Sequence, residues 1–420
     1  MTEISSDLSD HPISINALKV VRRLIESGFQ AFLVGGCVRD LLLDATPKDF
    51  DVATDAHPED VRDIFRNSRL VGRRFRIAHV RFGREIIEVA TFRAANDAAD
   101  NDSQVSDGGM LLSDNNYGTF REDAERRDFT INALYYDPEH KIIHDEVGGL
   151  TDLENRQIRL IGDPESRFRE DPVRMLRAVR FKAKLGFSVA PETEKPMRRL
   201  GFLLQDVPAA RLFEEVLKLT MTGYGERALE HLREYDLFGW LFPQSNRDPD
   251  HHQTFELIRL ALASTDTRIQ EDKPVTPAFI FAALLWHPFT NERQRLIDEG
   301  ATVSDASFEA ANNVIAQQLL FTSIPRRFSG PMRDIWFLQY RLPNRAGKKA
   351  ETLMAHKRFR AAYDFLILRE ESGERLDNLG KWWTEYQEAN NDQRQTMTTA
   401  APKSKTRKRN RRKRRRPDSQ

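Results

Sequence analysis

The sequence lacks most features of secreted and membrane proteins. Cys37 is the only cysteine in 420 residues, so an internal disulfide is excluded and a cytoplasmic setting is expected. The longest apolar run, around residues 278–286, is far shorter than the ~20 residues that a membrane-spanning helix needs, and it predicts a buried core helix. The first ten residues are polar and acidic, unlike a signal peptide. We therefore expect no membrane partner, and two or three domains of about 150 residues each.

Acidic residues are almost missing from the C-terminal end. Residues 403–416 hold 11 of the 65 Lys and Arg, and Asp418 is the only one of the 64 acids beyond residue 402. The net charge of +1 therefore combines a tail of +10 with a body of −9, since 54 cations and 63 acids remain in the body. A block of like charges cannot bury a core. We predict a disordered basic tail, and we favour binding to nucleic acid over a merely solvated tail.

The hydrophobic pattern changes once along the chain. Up to about residue 150, short period-two segments alternate with short helical ones, including a predicted hairpin at 77–92. After residue 151 the strand signals stop and helical periodicity continues. The fold class is therefore an α+β head with a mixed sheet, followed by an all-α neck and body. The predicted divisions are a head at 1–150, a neck at 151–245, a body at 246–395 and a tail at 396–420.

A glycine pair stands where a predicted strand meets a predicted helix. The strand ends before Gly35 and Gly36, and we expect the helix to open with Arg39 and Asp40. Glycine allows backbone amides to approach a phosphate closely, and a helix N-terminus favours the anion. Cys37 is interpreted as a small residue packed in this turn, because a nucleophile would need a base beside it.

Two aspartates follow the glycines. Asp49 and Asp51 are two residues apart on a second predicted strand, so both carboxylates are expected on one face. Paired carboxylates can hold a divalent metal over a phosphate, which indicates metal-assisted phosphoryl transfer. A third carboxylate usually completes such a site, and the residues leave two candidates, Glu88 in the predicted hairpin and Asp128. Arg127 can contact a phosphate or sugar, or pair with an acid.

A cation-rich helix is predicted to open at residues 170–172, where two acids and a proline form a helix-start signal. Its cations share a stripe beside the apolar one and are expected to line a groove; they are Arg174, Arg177, Arg180 and Lys184. Asp171 and Arg174, one turn apart, can offer an acceptor and donors to the edge of a base. The alternative is an intrahelical ion pair.

Residues 70–80 combine several cations with an aromatic ring just before a predicted strand. Arg73, Arg74 and Arg76 flank Phe75 in this segment. Such a mixture suits an RNA or nucleotide surface, although a basic loop held by its neighbours is the alternative.

Together these motifs resemble the class II nucleotidyltransferases of the polymerase-β superfamily, which include bacterial poly(A) polymerases and tRNA CCA-adding enzymes. The resemblance covers about residues 17–368. It is carried by three elements: the glycine pair with Arg39, Asp40 and the two aspartates; Arg126-Arg127-Asp128; and Glu170-Asp171 with Arg174. Residues 70–80, 324–328, 333–336 and 356–363, together with the basic tail, look like a poly(A) polymerase within that family.

The resemblance implies a reaction and a set of residue roles. An RNA 3′-hydroxyl would attack the α-phosphorus of ATP without a template, and pyrophosphate would leave. Mg²⁺ or Mn²⁺ would sit on Asp49 and Asp51, with Asp128 preferred over Glu88 as the third acid. The nucleotide would be held by Gly35, Gly36, Arg39, Arg127, Asp171, Arg174 and Arg177, with Asp171 and Arg174 at the base.

The expected partners are RNA 3′ ends, which include mRNA, decay intermediates and tRNA, and the RNA-decay machinery. Neck and body are both expected to contact RNA. Two other functions are carried as alternatives. A CCA-adding enzyme would accept CTP as well as ATP, and a catalytically silent RNA-binding adaptor would not need the aspartate pair.

Overall fold

The computed structural model describes residues 2–6, 8, 11–72, 76–94, 104–105, 111–113, 116–247 and 251–401. The chain forms two compact units. Unit 1 comprises residues 1–243 with 320–323, and unit 2 comprises residues 244–319 with 324–420. The division at 243/244 lies two residues from the predicted end of the neck. The boundary between head and neck stays a prediction, and the basic tail lies outside the described residues.

A mixed sheet forms the first half of unit 1, as predicted. Its described strands follow the spatial order β1, β10, β9, β2, β3, β6, β5, β4, and all neighbours are antiparallel except β3 and β6. In chain order they are β1 (Thr2–Ser5), β2 (Ala31–Val34), β3 (Asp51–Thr54), β4 (Ser68–Val71), β5 (Ile77–Phe82), β6 (Glu85–Thr91), β9 (Leu134–Asp137) and β10 (Ile142–Asp145). β7 (Gln104–Val105) and β8 (Leu111–Ser113) pair separately.

The helices of unit 1 surround and follow this sheet. They are α1 (Ile15–Glu26), α2 (Gly36–Leu42), α3 (Pro58–Ile64), α4 (Phe120–Arg126), α5 (Gly149–Glu154), α6 (Pro164–Glu170), α7 (Val173–Leu185), α8 (Pro191–Leu200), α9 (Ala209–Thr220), α10 (Gly225–Glu234) and α11 (Phe238–Leu241). Two 3₁₀ turns span Thr130–Asn132 and Gly201–Asp206.

Strand structure does not end at residue 151, which corrects the prediction. β11 (Gln157–Ile158) and β12 (Ser188–Val189) form a parallel pair within the helical part of unit 1. Each strand has two residues, which is too short to produce an alternating hydrophobic pattern.

Helix α1 shows why the predicted amphipathic segments fold onto the sheet. The Ser14 hydroxyl accepts hydrogen bonds from the amides of Asn16 and Ala17 and so caps the helix start. The apolar stripe that contains Val20, Val21 and Leu24 is buried. The helix packs against β2, the strand that leads into the glycine pair. Each buried aliphatic side chain contributes about 1.5–3 kcal/mol.

Unit 2 is helical throughout its described residues. Helix α12 (Pro243–Asn246) spans the division between the units. The helices that follow are α13 (His251–Gln270), α14 (Pro277–Leu284), α15 (Trp286–Asp298), α16 (Val303–Gln318), α17 (Arg326–Gln339), α18 (Lys348–Met354), α19 (Phe359–Glu371), α20 (Leu379–Glu388) and α21 (Asn391–Ala400). The apolar run at 278–286 is buried, as predicted. Every helix in the described part of the chain is too short or too polar to cross a bilayer.

Tryptophans anchor the core of unit 2. Trp336 stacks on Phe289 with a centroid distance of 4.5 Å, and its indole N–H donates to the Ala282 carbonyl at 3.0 Å. The Trp383 indole donates to the Leu342 carbonyl at 3.2 Å. Both rings are fully buried with their polar atom satisfied, which avoids the penalty of an unpaired donor.

Gly149 and Gly330 give opposite predictions for substitution by alanine. A Cβ on Gly149 would overlap the Thr130 carbonyl oxygen and lie 3.0 Å from Leu134 Cδ2, so Gly149→Ala should lower the free energy of unfolding by roughly 1–3 kcal/mol. Gly330 lies inside α17 with open space around it. Gly330→Ala is therefore the matched control and should stabilise by about 0.5–1 kcal/mol. Urea unfolding followed by circular dichroism measures both, and equal effects would contradict the packing argument.

Candidate active site

The glycine turn between β2 and α2 needs its glycine. Gly35 has φ 79° and ψ −126°, a conformation that side chains disfavour, and it precedes the helix, which begins at Gly36 and not at Arg39 as expected. A Cβ on Gly35 would lie 3.6 Å from Arg127 Nη1 and 3.5 Å from the Asn132 carbonyl oxygen. The turn therefore lies directly against the Arg126-Arg127-Asp128 segment, although 90 residues separate them in the sequence.

Cys37 is packed in this turn, as predicted. Its side chain is buried and its thiol donates to the Val34 carbonyl at 3.3 Å. Burial raises the pKa of the Cys37 thiol to about 11, so the group stays protonated near neutral pH and is a poor nucleophile.

The aspartate pair is arranged differently from the expectation. Asp51 is the first residue of β3, where it faces Val34 of β2, whereas Asp49 lies in the bend before the strand. Strand alternation therefore does not place Asp49. On the other side of β3, Glu88 of β6 is in register with Asp51. One oxygen of Glu88 lies 3.2 Å from His79 Nε2.

The pKa of Asp51 is raised to about 6, mainly by burial and also by the nearby negative charges of Glu88 and Asp49, while Arg127 opposes the shift. Three carboxylates and one guanidinium thus interact here, and the net charge of the four groups is negative. A divalent cation would balance that charge.

Metal ligation would rest mainly on the aspartate pair. Among the described residues, no group of three or more His, Cys, Asp and Glu side chains is arranged to hold a metal ion. Magnesium in phosphoryl-transfer sites is usually held by one or two carboxylates together with substrate phosphates and water. Asp49 and Asp51 fit such a metal, because the two carboxylates lie close enough to act on each other.

Asp128 has a different environment from Asp51. It accepts hydrogen bonds from Arg177 Nε at 2.6 Å, from the Phe129 amide at 2.8 Å and from Asn132 Nδ2 at 3.2 Å. Burial alone would raise the pKa of Asp128, but Arg177 and these donors lower it to about 2. The preference for Asp128 as the third acid stays a prediction. In the structure the Asp128 carboxylate neutralises Arg177, whereas Glu88 lies beside Asp51 in the sheet.

Asp128 belongs to a continuous hydrogen-bonded chain, which we call the α7 clamp. The clamp begins and ends on helix α7 and runs through α2 and the Thr130–Asn132 turn. Its links are Arg177 to Asp128, Asn132 Nδ2 to Asp128, Arg39 Nη1 to Asn132 Oδ1 at 2.6 Å, Arg39 Nε to Asp40 Oδ1 at 2.8 Å, and Lys184 Nζ to Asp40 Oδ2 at 2.9 Å. Arg39 is only 3% exposed within it. The clamp fixes α7 against the glycine turn, and the predicted contact of Arg39 with a nucleotide stays a prediction.

Of the two roles that the sequence left open for Arg127, the structure shows the pairing with an acid, and the contact with a phosphate or sugar stays a prediction. Its Nε and Nη2 donate to Asp123 Oδ2 at 3.2 and 2.9 Å, and Nε also donates to the Tyr135 hydroxyl at 2.8 Å. The Tyr135 hydroxyl in turn donates to Asp123 at 2.7 Å. These contacts hold the guanidinium so that Nη1 lies against Gly35. The sequence analysis missed Asp123 and Tyr135, although Asp123 stands four residues before Arg127, the spacing of an ion pair on a helix.

The predicted open row of cations on α7 is wrong, because each cation has an acid partner. The pairs are Arg174 with Glu170 at 2.8 Å, Arg177 with Asp128, Arg180 with Glu215 at 3.6 Å, and Lys184 with Asp40 at 2.9 Å. All four acids come from outside α7, so spacing along α7 does not indicate them. The alternative of an ion pair between Asp171 and Arg174 within one helix is wrong, because Arg174 pairs with Glu170 and Asp171 with Arg211.

The helix start was also placed too early. Glu170 is the last residue of α6, Asp171 has extended backbone angles, and α7 begins at Val173. Pro172 disfavours helical angles for the residue before it, which explains the break. The Asp171 carboxylate accepts a hydrogen bond from Arg211 Nη2 at 2.7 Å, a partner that the sequence analysis missed. Asp171 and Arg174 thus have separate side-chain partners.

The third predicted cluster is tested only at its edges. Residues 73–75 lie outside the described residues. Arg76, which follows them, pairs with Glu59 at 2.7 Å, and both side chains are about half exposed.

Comparison with known proteins connects these features to one family. Residues 31–159 match the model of the poly A polymerase head domain, residues 186–248 match a probable RNA and SrmB-binding site of polymerase A, and residues 299–417 match the polymerase A arginine-rich C-terminus. Together these models cover most of the chain.

Individual relatives agree with the models. The chain is 52% identical to poly(A) polymerase I of Escherichia coli O6:H1 over 389 residues, which is 90% of this chain and 84% of the relative. It is 48% identical to poly(A) polymerase I of Haemophilus influenzae, over 93% of this chain and 88% of the relative. A crystal structure of the Bacillus stearothermophilus CCA-adding enzyme in complex with CTP superimposes with a TM-score of 0.59 at 27% identity, over 89% of this chain and 80% of that one. By sequence and by fold, the chain belongs to the poly(A) polymerase family of nucleotidyltransferases.

Proposed function

We propose that this protein is a template-independent poly(A) polymerase that transfers AMP from ATP to RNA 3′ ends and uses Mg²⁺ or Mn²⁺. One observation carries the proposal: Asp51 lies between Glu88 and the glycine turn, with Asp49 and Arg127 acting on it. On this proposal, the phosphate contact and the metal site would lie at one place. The extensive identity to poly(A) polymerase I supports the choice of reaction.

Different residues of the chain are proposed to bind the phosphates and the metal. The backbone of the Gly35 turn and Arg127 Nη1 face the position of the phosphates, and Tyr135 and Asp123 keep Arg127 in place. Asp49 and Asp51 would hold the metal, with Glu88 adding negative charge beside Asp51. The bound metal would neutralise the charge that develops on the transferred phosphoryl group. The 3′-oxygen forms a bond to the α-phosphorus as the bond to pyrophosphate breaks, and the hydroxyl proton leaves to a base or water.

Base selection falls to the segment where α6 meets α7. Asp171 and Arg174 stay the proposed base contacts, and Arg211 and Glu170 are added because they hold these side chains. The RNA partners remain mRNA, decay intermediates and tRNA, with neck and body as the surfaces that bind them and the RNA-decay machinery as a protein partner. The match of residues 186–248 to a probable RNA and SrmB-binding site of polymerase A supports an RNA contact in the neck. Disorder of the tail and a cytoplasmic location stay predictions.

Nucleotide incorporation separates the proposed function from its alternatives. With unstructured RNA and single nucleotides, we expect long tails from ATP alone and little addition from CTP. Asp49→Ala and Asp51→Ala should each abolish addition, because they remove metal ligands, and should leave RNA binding largely intact. Incorporation of CTP that stops on tRNA ending in CCA would indicate a CCA-adding enzyme. Unchanged function in both variants would indicate a silent adaptor.

Glu88→Gln and Asp128→Asn should fail in different ways. Glu88→Gln should lower kcat/KM roughly 10–100-fold and raise the Mg²⁺ concentration needed, because it weakens the charge around the metal site. Asp128→Asn should lower the free energy of unfolding by about 3 kcal/mol, because it leaves Arg177 without its partner. Glu139→Gln, on an exposed hairpin, is the control. If Asp128→Asn instead needed more Mg²⁺ for activity while its stability stayed unchanged, Asp128 would be favoured over Glu88 as the third acid.

Asp51 should make the metal-free protein less stable as the pH rises. Its pKa is raised from 3.8 to about 6, so between these values the folded state binds more protons than the unfolded state. Stability therefore falls across this window, and the full penalty is present above it. In EDTA at about pH 7.5, the free energy of unfolding of Asp51→Asn should exceed that of the wild type by on the order of 2 kcal/mol, and the variant should melt at a higher temperature. This difference should shrink near pH 4. A difference that does not change with pH would contradict the assignment.

A further inference from the structure

A basic groove lies in unit 2 where the chain leaves α17 and enters α18. Its volume is about 450 Å³. The residues that line it are Arg341, Asn344, Lys348, Lys349, Thr352 and Leu353. No acid is among them, and the three cations are exposed. We call these residues the α18 groove.

The three cations of the α18 groove share one electrostatic setting. Within the described part of the chain, none of the side chains of Arg341, Lys348 and Lys349 forms an ion pair with an acid. By contrast, three exposed cations elsewhere in the unit are paired: Arg295 with Glu292 and Glu299, Arg360 with Asp364, and Lys381 with Glu385. Three positive charges without acid partners around one concave surface attract an anion.

The backbone that carries these cations is held in place. Leu342 is fully buried and its carbonyl accepts the Trp383 indole N–H. The guanidinium of Arg345 lies 5.0 Å from the centre of the Trp382 ring, and the Gly347 amide donates to the Thr398 carbonyl at 3.3 Å. The loop between the two helices is therefore held by contacts of Leu342, Arg345 and Gly347 with the helices that follow. A fixed loop presents the cations with little ordering cost on binding.

We propose that the α18 groove binds the phosphate backbone of single-stranded RNA. This proposal rests on the proposed function, because it names a surface for the same RNA substrate. The groove offers three cations, the neutral side chains of Asn344 and Thr352, and Leu353 as its single apolar contact. Exposed cations on one concave surface suit contact with repeated phosphates. We therefore expect most of the affinity of this contact to come from the phosphates and not from the bases.

Salt dependence of RNA binding by the full chain tests the groove. The variant is the triple substitution Arg341→Gln, Lys348→Gln and Lys349→Gln. The matched control is Arg295→Gln, Arg360→Gln and Lys381→Gln, which removes the same charge from the same unit at paired positions. For a labelled oligoadenylate, the groove variant should reduce the slope of log Kd against log salt by about 2, since each single-strand phosphate contact contributes ~0.7. The control should keep the wild-type slope.

Tail synthesis supplies a second measurement. The groove variant should add a single AMP to a saturating RNA primer with unchanged kcat, because the head is untouched, and it should release RNA sooner and make shorter tails at limiting RNA. Both triples should melt like the wild type, since every substituted side chain is exposed. The single charge reversal Lys349→Glu provides the same test with a smaller change.

The outcomes are distinguishable from those of the proposed function. Equal slopes of log Kd against log salt for the groove variant and the wild type would overturn the proposal that the groove binds RNA. Loss of binding to poly-glutamate with unchanged RNA binding also overturns it, and would assign the surface to an acidic protein segment. A protein that adds no nucleotide to any RNA, but whose salt slope still falls in the groove variant alone, would refute the polymerase proposal and keep the groove.

Discussion

The α7 clamp determines the geometry on which the rest of unit 1 depends. It begins at Arg177 and returns to the same helix at Lys184, two turns later. Between them it passes through the glycine-turn helix and the turn that carries Asn132. Every donor in this chain faces an acceptor, so the charges that leave water are compensated. Such an arrangement fixes a distance and an orientation more than it adds stability, and what it fixes is the position of α7 relative to Gly35.

The clamp changes the meaning of the motif arginines. Arg39 and Arg177 belong to sequence patterns associated with nucleotide contact, yet in the structure both neutralise acids of the scaffold. Arg127 is the exception, because Asp123 and Tyr135 occupy one edge of its guanidinium and leave Nη1 against the glycine turn. The motifs therefore contain arginines in two settings. On the proposed function Arg127 would meet the phosphate, whereas Arg39 and Arg177 hold elements around the site, and spacing alone does not distinguish the two settings.

What the sequence could predict follows from the range of the interactions involved. The sheet, the hairpin of β5 and β6 and the packing of Cys37 depend on local patterns, and the structure confirms them. The aspartates and glycines were found because they lie within 17 residues of one another. The acids opposite the α7 cations could not be found, because Asp40, Asp128 and Glu215 come from distant elements. The register that places Glu88 beside Asp51 is likewise a property of the sheet, since the parallel neighbours β3 and β6 are separated by two other strands in the sequence.

Rigid attachment of α7 has a consequence for base selection. Asp171 is bonded to Arg211 and Arg174 to Glu170, so a base that contacts these side chains must either replace those bonds or use the remaining acceptor and donor positions. Replacement of the Asp171 bond would leave Arg211 without its carboxylate partner, which costs about 1–3 kcal/mol, whereas Glu170 would keep its bond to Arg167. Use of the remaining positions avoids this cost and requires that the base arrive in one orientation. The clamp favours this second route, because it limits the movement of α7 that an exchange of partners would need. On the proposed function, selectivity for one base would then depend on the geometry at the break between α6 and α7, which Pro172 imposes, and on the acids that hold α7.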